Sequence, residues 1–306
     1  MKKNVSVLLL GLCILSWTSC DKSDSFSIID PADKTLEITC GYDFHIPVSS
    51  TQWRIESVKT MPEEECLTDT NGQPMALEGH GRIEASNGWL ALSRDKEDGF
   101  TIELKENFDA AAAREFVICL NDNGRRDYVK VIQMAAQGYR LVKTKFEEIT
   151  EAREIYQSAE GCKSLTLSNE TCEAVWRPYA YIFEDVVESS QFESDDYGAF
   201  DWMGKETISF PAPELFINDT IRWTKECVYK KGLTTLPYIR DIANGGKILL
   251  PPYANRYLKG EITYCKRICR YTFTIQNKDS GTQFEIKGLW TQIVPIMSHT
   301  LVTDAP

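Results

Sequence analysis

Hydrophobic positions in this chain recur mainly at every second residue. Phe100, Ile102 and Leu104 alternate with Thr101, Glu103 and Lys105, the period of a strand with one buried face. Residues 107–113 connect it to the apolar run 116–120. Asn121-Asp122-Asn123-Gly124 then supplies turn residues before residues 128–133 return as a partner strand. Upstream, residues 34–48 and 53–58 are rich in strand formers, with Ser49-Ser50-Thr51 between them and a turn-rich loop over 61–81 after them. Ala135-Ala136-Gln137-Gly138 reads as the boundary between two domains.

The second half continues in the same manner. Strands are predicted over 165–167, 174–183, 207–210, 220–229, 247–250, 257–275 and 283–294, and Asn277 to Gly281 forms a hairpin turn between the last two. Phe284, Ile286 and Trp290 share one face. Only residues 146–156 break the pattern, because Phe146, Ile149, Arg153 and Tyr156 stand at near-helical spacing and predict one short helix near the boundary. The expected fold is all-β: two β-sandwich, Ig-like domains in tandem, over 34–137 and 138–306. Trp53, Trp89, Trp176, Trp223 and Trp290 all lie in strand-like contexts and are expected in the core.

Composition narrows the function. Of 306 residues, 45 are acidic and 34 basic, a net charge of −11 that disfavours phosphate backbones, so no nucleic-acid partner is expected. Lys2 and Lys3 precede an apolar run over 5–17, which as a helix spans roughly 20 Å, too short for a roughly 30 Å hydrocarbon layer. Residues 1–19 therefore read as a signal peptide. Thr18-Ser19-Cys20 resembles the bacterial lipobox, with Trp17 where an aliphatic residue is usual. The resemblance implies acylation of Cys20 and a mature chain that begins there. Residues 20–33, opening Cys20-Asp21-Lys22-Ser23-Asp24, resemble the tether of Bacteroidetes surface lipoproteins. That implies an outer-membrane protein facing the cell exterior, and losing Lys2 and Lys3 takes its charge from −11 to −13.

Asn87-Gly88-Trp89-Leu90, the strand 100–104, Asn107, Arg114 and the closing strand 129–133 ending in Gln133 together resemble the tail of a BACON domain, the Bacteroidetes-associated Ig-like module. The quoted pattern occupies the second half of residues 34–137, and the long 61–81 loop departs from the compact form. The resemblance implies a carbohydrate- or mucin-binding module or a spacer.

Chemistry is sparse. Eight cysteines remain after Cys13 and Cys20, enough for zero to two disulfides, and Cys119 within Phe116-Val117-Ile118-Cys119-Leu120 reads as a core residue. Cys265 and Cys269 lie roughly 13 Å apart on a strand, beyond shared coordination, so no metal or other cofactor is expected. No serine elbow, zinc helix or phosphate loop is present in the sequence, and no catalytic residue is nominated. Asp195, Asp196, Tyr197, Asp201 and Trp202 form an acidic–aromatic loop of the kind that stacks on sugar C–H faces and accepts hydroxyl hydrogen bonds, or else a solvated loop whose Phe200 and Trp202 tuck back into the core. Asp219-Thr220-Ile221 resembles the O-glycosylation pattern of Bacteroidetes exported proteins, which makes Thr220 the acceptor. The expectation is a non-catalytic surface lipoprotein that binds polysaccharide or mucin glycan, or acts as a spacer. The alternative is a fimbrial-type subunit or adhesin with cell-surface protein partners, in which residues 293–302 form a donated strand. A glycoside-acting enzyme is the weaker reading.

Overall fold

The computed structural model describes residues 27–238 and 246–304, so Cys20 and the signal segment lie outside the described residues. The described chain is all-β, apart from three short 3-10 turns. Two four-stranded sheets form the N-terminal sandwich. One runs β1 (Thr35–Ile38), β8 (Arg125–Gln133), β7 (Arg114–Asp122), β3 (Trp53–Thr60); the other runs β2 (Asp43–Pro47), β6 (Gly99–Leu104), β5 (Leu90–Lys96), β4 (Gly81–Glu84). Phe116, Ile118 and Leu120 of β7 face Trp53, Leu92, Phe100 and Ile102 in a sealed core. Cys119, expected in that core, sits on the opposite face of β7 and is half-buried, as its even-odd position requires.

The 61–81 loop is packed against the sandwich. Leu77 bridges Ile55, Cys66 bridges Lys59, and Met75 is fully buried, so the loop covers the edge that β3 would otherwise leave open.

The C-terminal half is built on one long hairpin, β20 (Asn255–Asn277, 23 residues) and β21 (Gln283–Asp304, 22 residues). At about 3.3 Å per residue each strand runs roughly 70 Å. Three shorter strands lie end to end along β20: β9 (Tyr139–Glu148) beside 269–277, β10 (Glu154–Ser158) beside 262–266, and β11 (Ser164–Ser168) beside 255–259. On the other side, β13 (Val187–Glu193) pairs with β21 and β18 (Gly232–Pro237) with β13. The predicted helix over 146–156 is therefore corrected. Phe146 lies on β9 and Tyr156 on β10, and only a 3-10 turn at Thr150–Ala152 joins them. The spacing was misleading because two strands meeting at a corner place apolar residues near helical intervals. Residues 293–302 are held within the chain's own sheet by β20, which is not the state of a donated strand.

Three two-stranded ribbons cover this sheet: β12 (Val175–Pro178) with β19 (Lys247–Leu250), β14 (Ile208–Pro211) with β17 (Glu226–Tyr229), and β15 (Leu215–Ile217) with β16 (Thr220–Trp223). Near the N-terminal sandwich, β20 buries Cys269, Tyr271, Phe273 and Ile275; at the far end it buries Leu258, Ile262 and Tyr264. The switch from odd to even residues means that the covering layer changes face. It coincides with a bulge in which Ile296 of β21 is left over, since Thr263 pairs with Met297 and Tyr264 with Pro295.

Candidate functional site

The residues that carried the family resemblance converge at the seam between the halves. The Arg114 guanidinium lies 4.3 Å from the Trp89 ring centroid and donates to the Gln133 side-chain oxygen at 2.7 Å. Gln133 donates to the Lys105 carbonyl at 2.8 Å, and the Asn107 amide donates to the Ala112 carbonyl at 2.9 Å. Burial pulls the Arg114 pKa below its usual value, against the opposing influence of the Tyr197 hydroxyl. Beside this cluster, buried Glu106 accepts from the Tyr139 hydroxyl at 3.1 Å and the Asn277 amide at 3.0 Å. Burial, then the Glu106 charge, pushes the Tyr139 phenol up.

The acidic–aromatic loop divides between three environments. The Tyr197 hydroxyl accepts from Arg114 at 3.0 Å, and its ring lies 5.7 Å from Phe108. Trp202 is 3% exposed, donates from its indole to the Ala199 carbonyl at 3.0 Å and stacks on Tyr229. Neither is presented as a sugar platform: the turn over 196–204 folds both rings inward, Tyr197 onto the seam, which corrects its expected role, and Trp202 into the aromatic core, the alternative that the sequence left open. Gly198 makes this possible, because its φ is +68° and a Cβ there would meet the Phe108 ring at 1.8 Å. Asp201 is exposed on the turn itself, and its backbone carbonyl accepts from Gly204.

Asp195 and Asp196 do reach a recess. They border an open groove of about 800 Å³ with Glu193, Arg270 and Lys287 around it, Phe200 and Leu289 at its margin, and Phe192 and Tyr271 beneath. Asp196 accepts from the Lys287 backbone N–H at 2.6 Å, and Ser194 donates to the Lys287 carbonyl at 2.6 Å, which fixes the loop to β21. The groove depends on Gly288, where a Cβ would meet the Glu193 carbonyl at 2.0 Å. Sequence reading missed Arg270, Lys287 and Leu289. A glycine inside the strand run Lys287-Gly288-Leu289 was the available signal of a close backbone approach.

The eight described cysteines are free, and burial pushes the thiols of Cys269 up to about 11 and Cys227 up to about 12. No group of three or more His, Cys, Asp or Glu placed to hold a metal occurs among the described residues. Arg267, 1% exposed, donates to Gln292 at 2.7 Å and to the carbonyls of Pro213 and Glu214, with its guanidinium 5.0 Å from Trp290. These contacts make it a core fastener. Thr220 is exposed just after Asn218 and Asp219, which turn the β15–β16 ribbon with φ of 48° and 58°. Trp176, expected in the core, is instead 61% exposed.

No family model matches the chain, and no curated protein matches it. Among solved structures, it is similar to a protein from Bacteroides thetaiotaomicron at 17% identity over 36% of this chain and 86% of that one, with a TM-score of 0.26. It is similar to a lamprey immune protein at 10% identity over 92% and 95% of the two chains, TM-score 0.35. The parasporin-2 toxin of Bacillus thuringiensis matches at 10% identity over 55% and 74%, TM-score 0.27. At these values the likenesses assign neither family nor activity.

Proposed function

We propose that this chain is a non-catalytic, surface-anchored lipoprotein that holds a glycan in the Asp195–Asp196 groove, with residues 34–137 as a BACON-like base. The observation that carries the reading is the groove itself. Glu193, Asp195 and Asp196 line it together with Arg270 and Lys287, and Phe200 and Leu289 add apolar surface. Hydroxyl-rich ligands need both acceptors and donors, together with an apolar surface for their C–H faces. The lipobox and acidic tether support attachment to the outer membrane, and the convergence of Trp89, Asn107, Arg114 and Gln133 supports the BACON-like assignment.

The test is retention of the chain from residue 21 onward on a panel of plant, host and mucin glycans. An Asp195→Ala, Arg270→Ala variant should lose tenfold or more in affinity, since hydrogen bonds to charged groups contribute about 1.5–3 kcal/mol each. Tyr197→Phe, which removes a seam hydroxyl outside the groove, should bind as the parent does. Absence of any retained glycan, or equal binding by the double variant, overturns the reading.

A further inference from the structure

The far end of the long sheet carries a second surface that the groove does not explain. Trp176 of β12 and Leu249 of β19 are cross-strand partners, so their side chains share one face, and they are 61% and 46% exposed. That face points away from the sheet, because the neighbouring pair of Val175 and Leu250 points inward and Leu250 is fully buried. Tyr253, in the loop just beyond, is 71% exposed.

The loop is built, not slack. Asn169, 2% exposed, donates its amide to the carbonyls of Glu173, Leu250 and Pro251, and its own side-chain oxygen accepts from the Thr171 N–H and hydroxyl. The Tyr253 N–H donates to the Thr171 carbonyl at 3.2 Å, and Tyr253 stands at φ +56°, a left-handed conformation that an aromatic residue rarely adopts. Among the described residues of segments 169–178 and 246–255 the charges cancel, exposed Arg177 and Lys247 being matched in number by exposed Glu170 and Glu173, on a chain whose net charge is −11. This end is also remote from the N-terminal sandwich. Ser27, the first described residue, donates to Asp127 on the N-terminal sandwich, and Asn277 at the hairpin turn contacts that sandwich through Thr39 and Glu106.

We propose that this distal end is a membrane-contacting tip, in which Trp176, Leu249 and Tyr253 enter the interfacial layer of an electrically neutral lipid bilayer. Trp and Tyr favour that layer, where an amphipathic ring meets both hydrocarbon and headgroup. A fluid surface needs no matched shape, which suits an outward ribbon face. Local neutrality fits a zwitterionic headgroup, whereas the acidic chain as a whole repels anionic ones. The surface addressed is a bilayer away from the N-terminal sandwich. The inference stands independently of the glycan reading.

The experiment uses the chain from residue 21 onward, which carries no acyl group, with phosphatidylcholine vesicles. Co-sedimentation is expected, and brominated phosphatidylcholine should quench tryptophan emission. The other described tryptophans, Trp53, Trp89, Trp202, Trp223 and Trp290, are at most 6% exposed, so quenching reports Trp176. Trp176→Phe should keep the binding and lose the quenching. Trp176→Ala with Leu249→Ala should lower partitioning by on the order of tenfold with an unchanged melting curve. No binding, unquenched emission, or equal binding by the double variant overturns the proposal. So does binding only when phosphatidylglycerol is added, or glycan retention that is lost with Trp176 while vesicles are ignored.

Discussion

The two halves bury their hydrophobic residues by different means. In the N-terminal sandwich two sheets of matched size face each other, and among the described residues only Tyr42, Tyr128 and Met134 are large apolar side chains left exposed. The C-terminal half sets one sheet roughly 70 Å long against three small ribbons. There the other seventeen of the twenty exposed large hydrophobics are found, Trp176 and Tyr253 among them. A continuous second sheet seals a core along its whole length; ribbons seal it only where they lie. The structure thus separates a sealed base from a half that retains surface for contact, and both candidate sites fall in the latter.

Tryptophans give the sharpest test of this contrast. Trp53 is 1% exposed, packs on Phe100 and lies 4.0 Å from the Arg94 guanidinium. Trp53→Ala should cost about 3–5 kcal/mol in denaturant unfolding. Trp176→Ala should stay within about 0.5 kcal/mol. A comparable loss at both positions would mean that the C-terminal half is as closed as the N-terminal one.

A smaller effect is expected at the seam. Gly198→Ala forces a Cβ toward Phe108 at a positive φ and should cost about 1–3 kcal/mol. Because Phe108 and Tyr197 join the halves, a single calorimetric transition should split into two. One unsplit transition would show that the coupling lies elsewhere, for instance in the contact between Glu106 and Asn277.

The smallest effect is acid sensitivity. Burial acts to raise the Asp127 carboxyl, but the Lys34 ammonium at 2.7 Å, the Tyr128 N–H, the Ser27 hydroxyl and the Ile29 N–H outweigh it and hold it below the usual carboxylate range. A folded value below the unfolded one, near 3.9, means that the stabilisation is complete above the unfolded value and drains as pH falls through the folded value. Stability of the N-terminal sandwich should therefore fall below about pH 4, and Asp127→Asn should flatten that acid limb. Identical limbs in parent and variant would remove Asp127 from the account.

Much of this fold was legible because strand periodicity is a local property. The alternation around Phe100, Ile102 and Leu104 and the turn at Asn277 to Gly281 both lie where the residues placed them. Partnership was not legible. That β9, β10 and β11 share one partner is a non-local fact, and without it the corner at Thr150–Ala152 resembled a helix. The candidate loop was half legible. Its acids could be read and a tucked-in Trp202 was one of its two readings, but the inward turn of Tyr197 depends on Phe108, which spacing alone does not connect to it. Trp176 misled for a related reason: a strand context fixes two faces and leaves open which of them is covered.

The long hairpin also determines how the molecule bears force. A pull between the N-terminal sandwich and the distal end runs along β20 and β21, whose ladder bonds lie across that direction. Such a pull acts along the strands, so it bears on the rows together and not one at a time. The same strands parted at Arg256 and Asp304 would unzip row by row under a much smaller load. Tension applied along the length of the hairpin therefore meets its ladder in the more resistant direction.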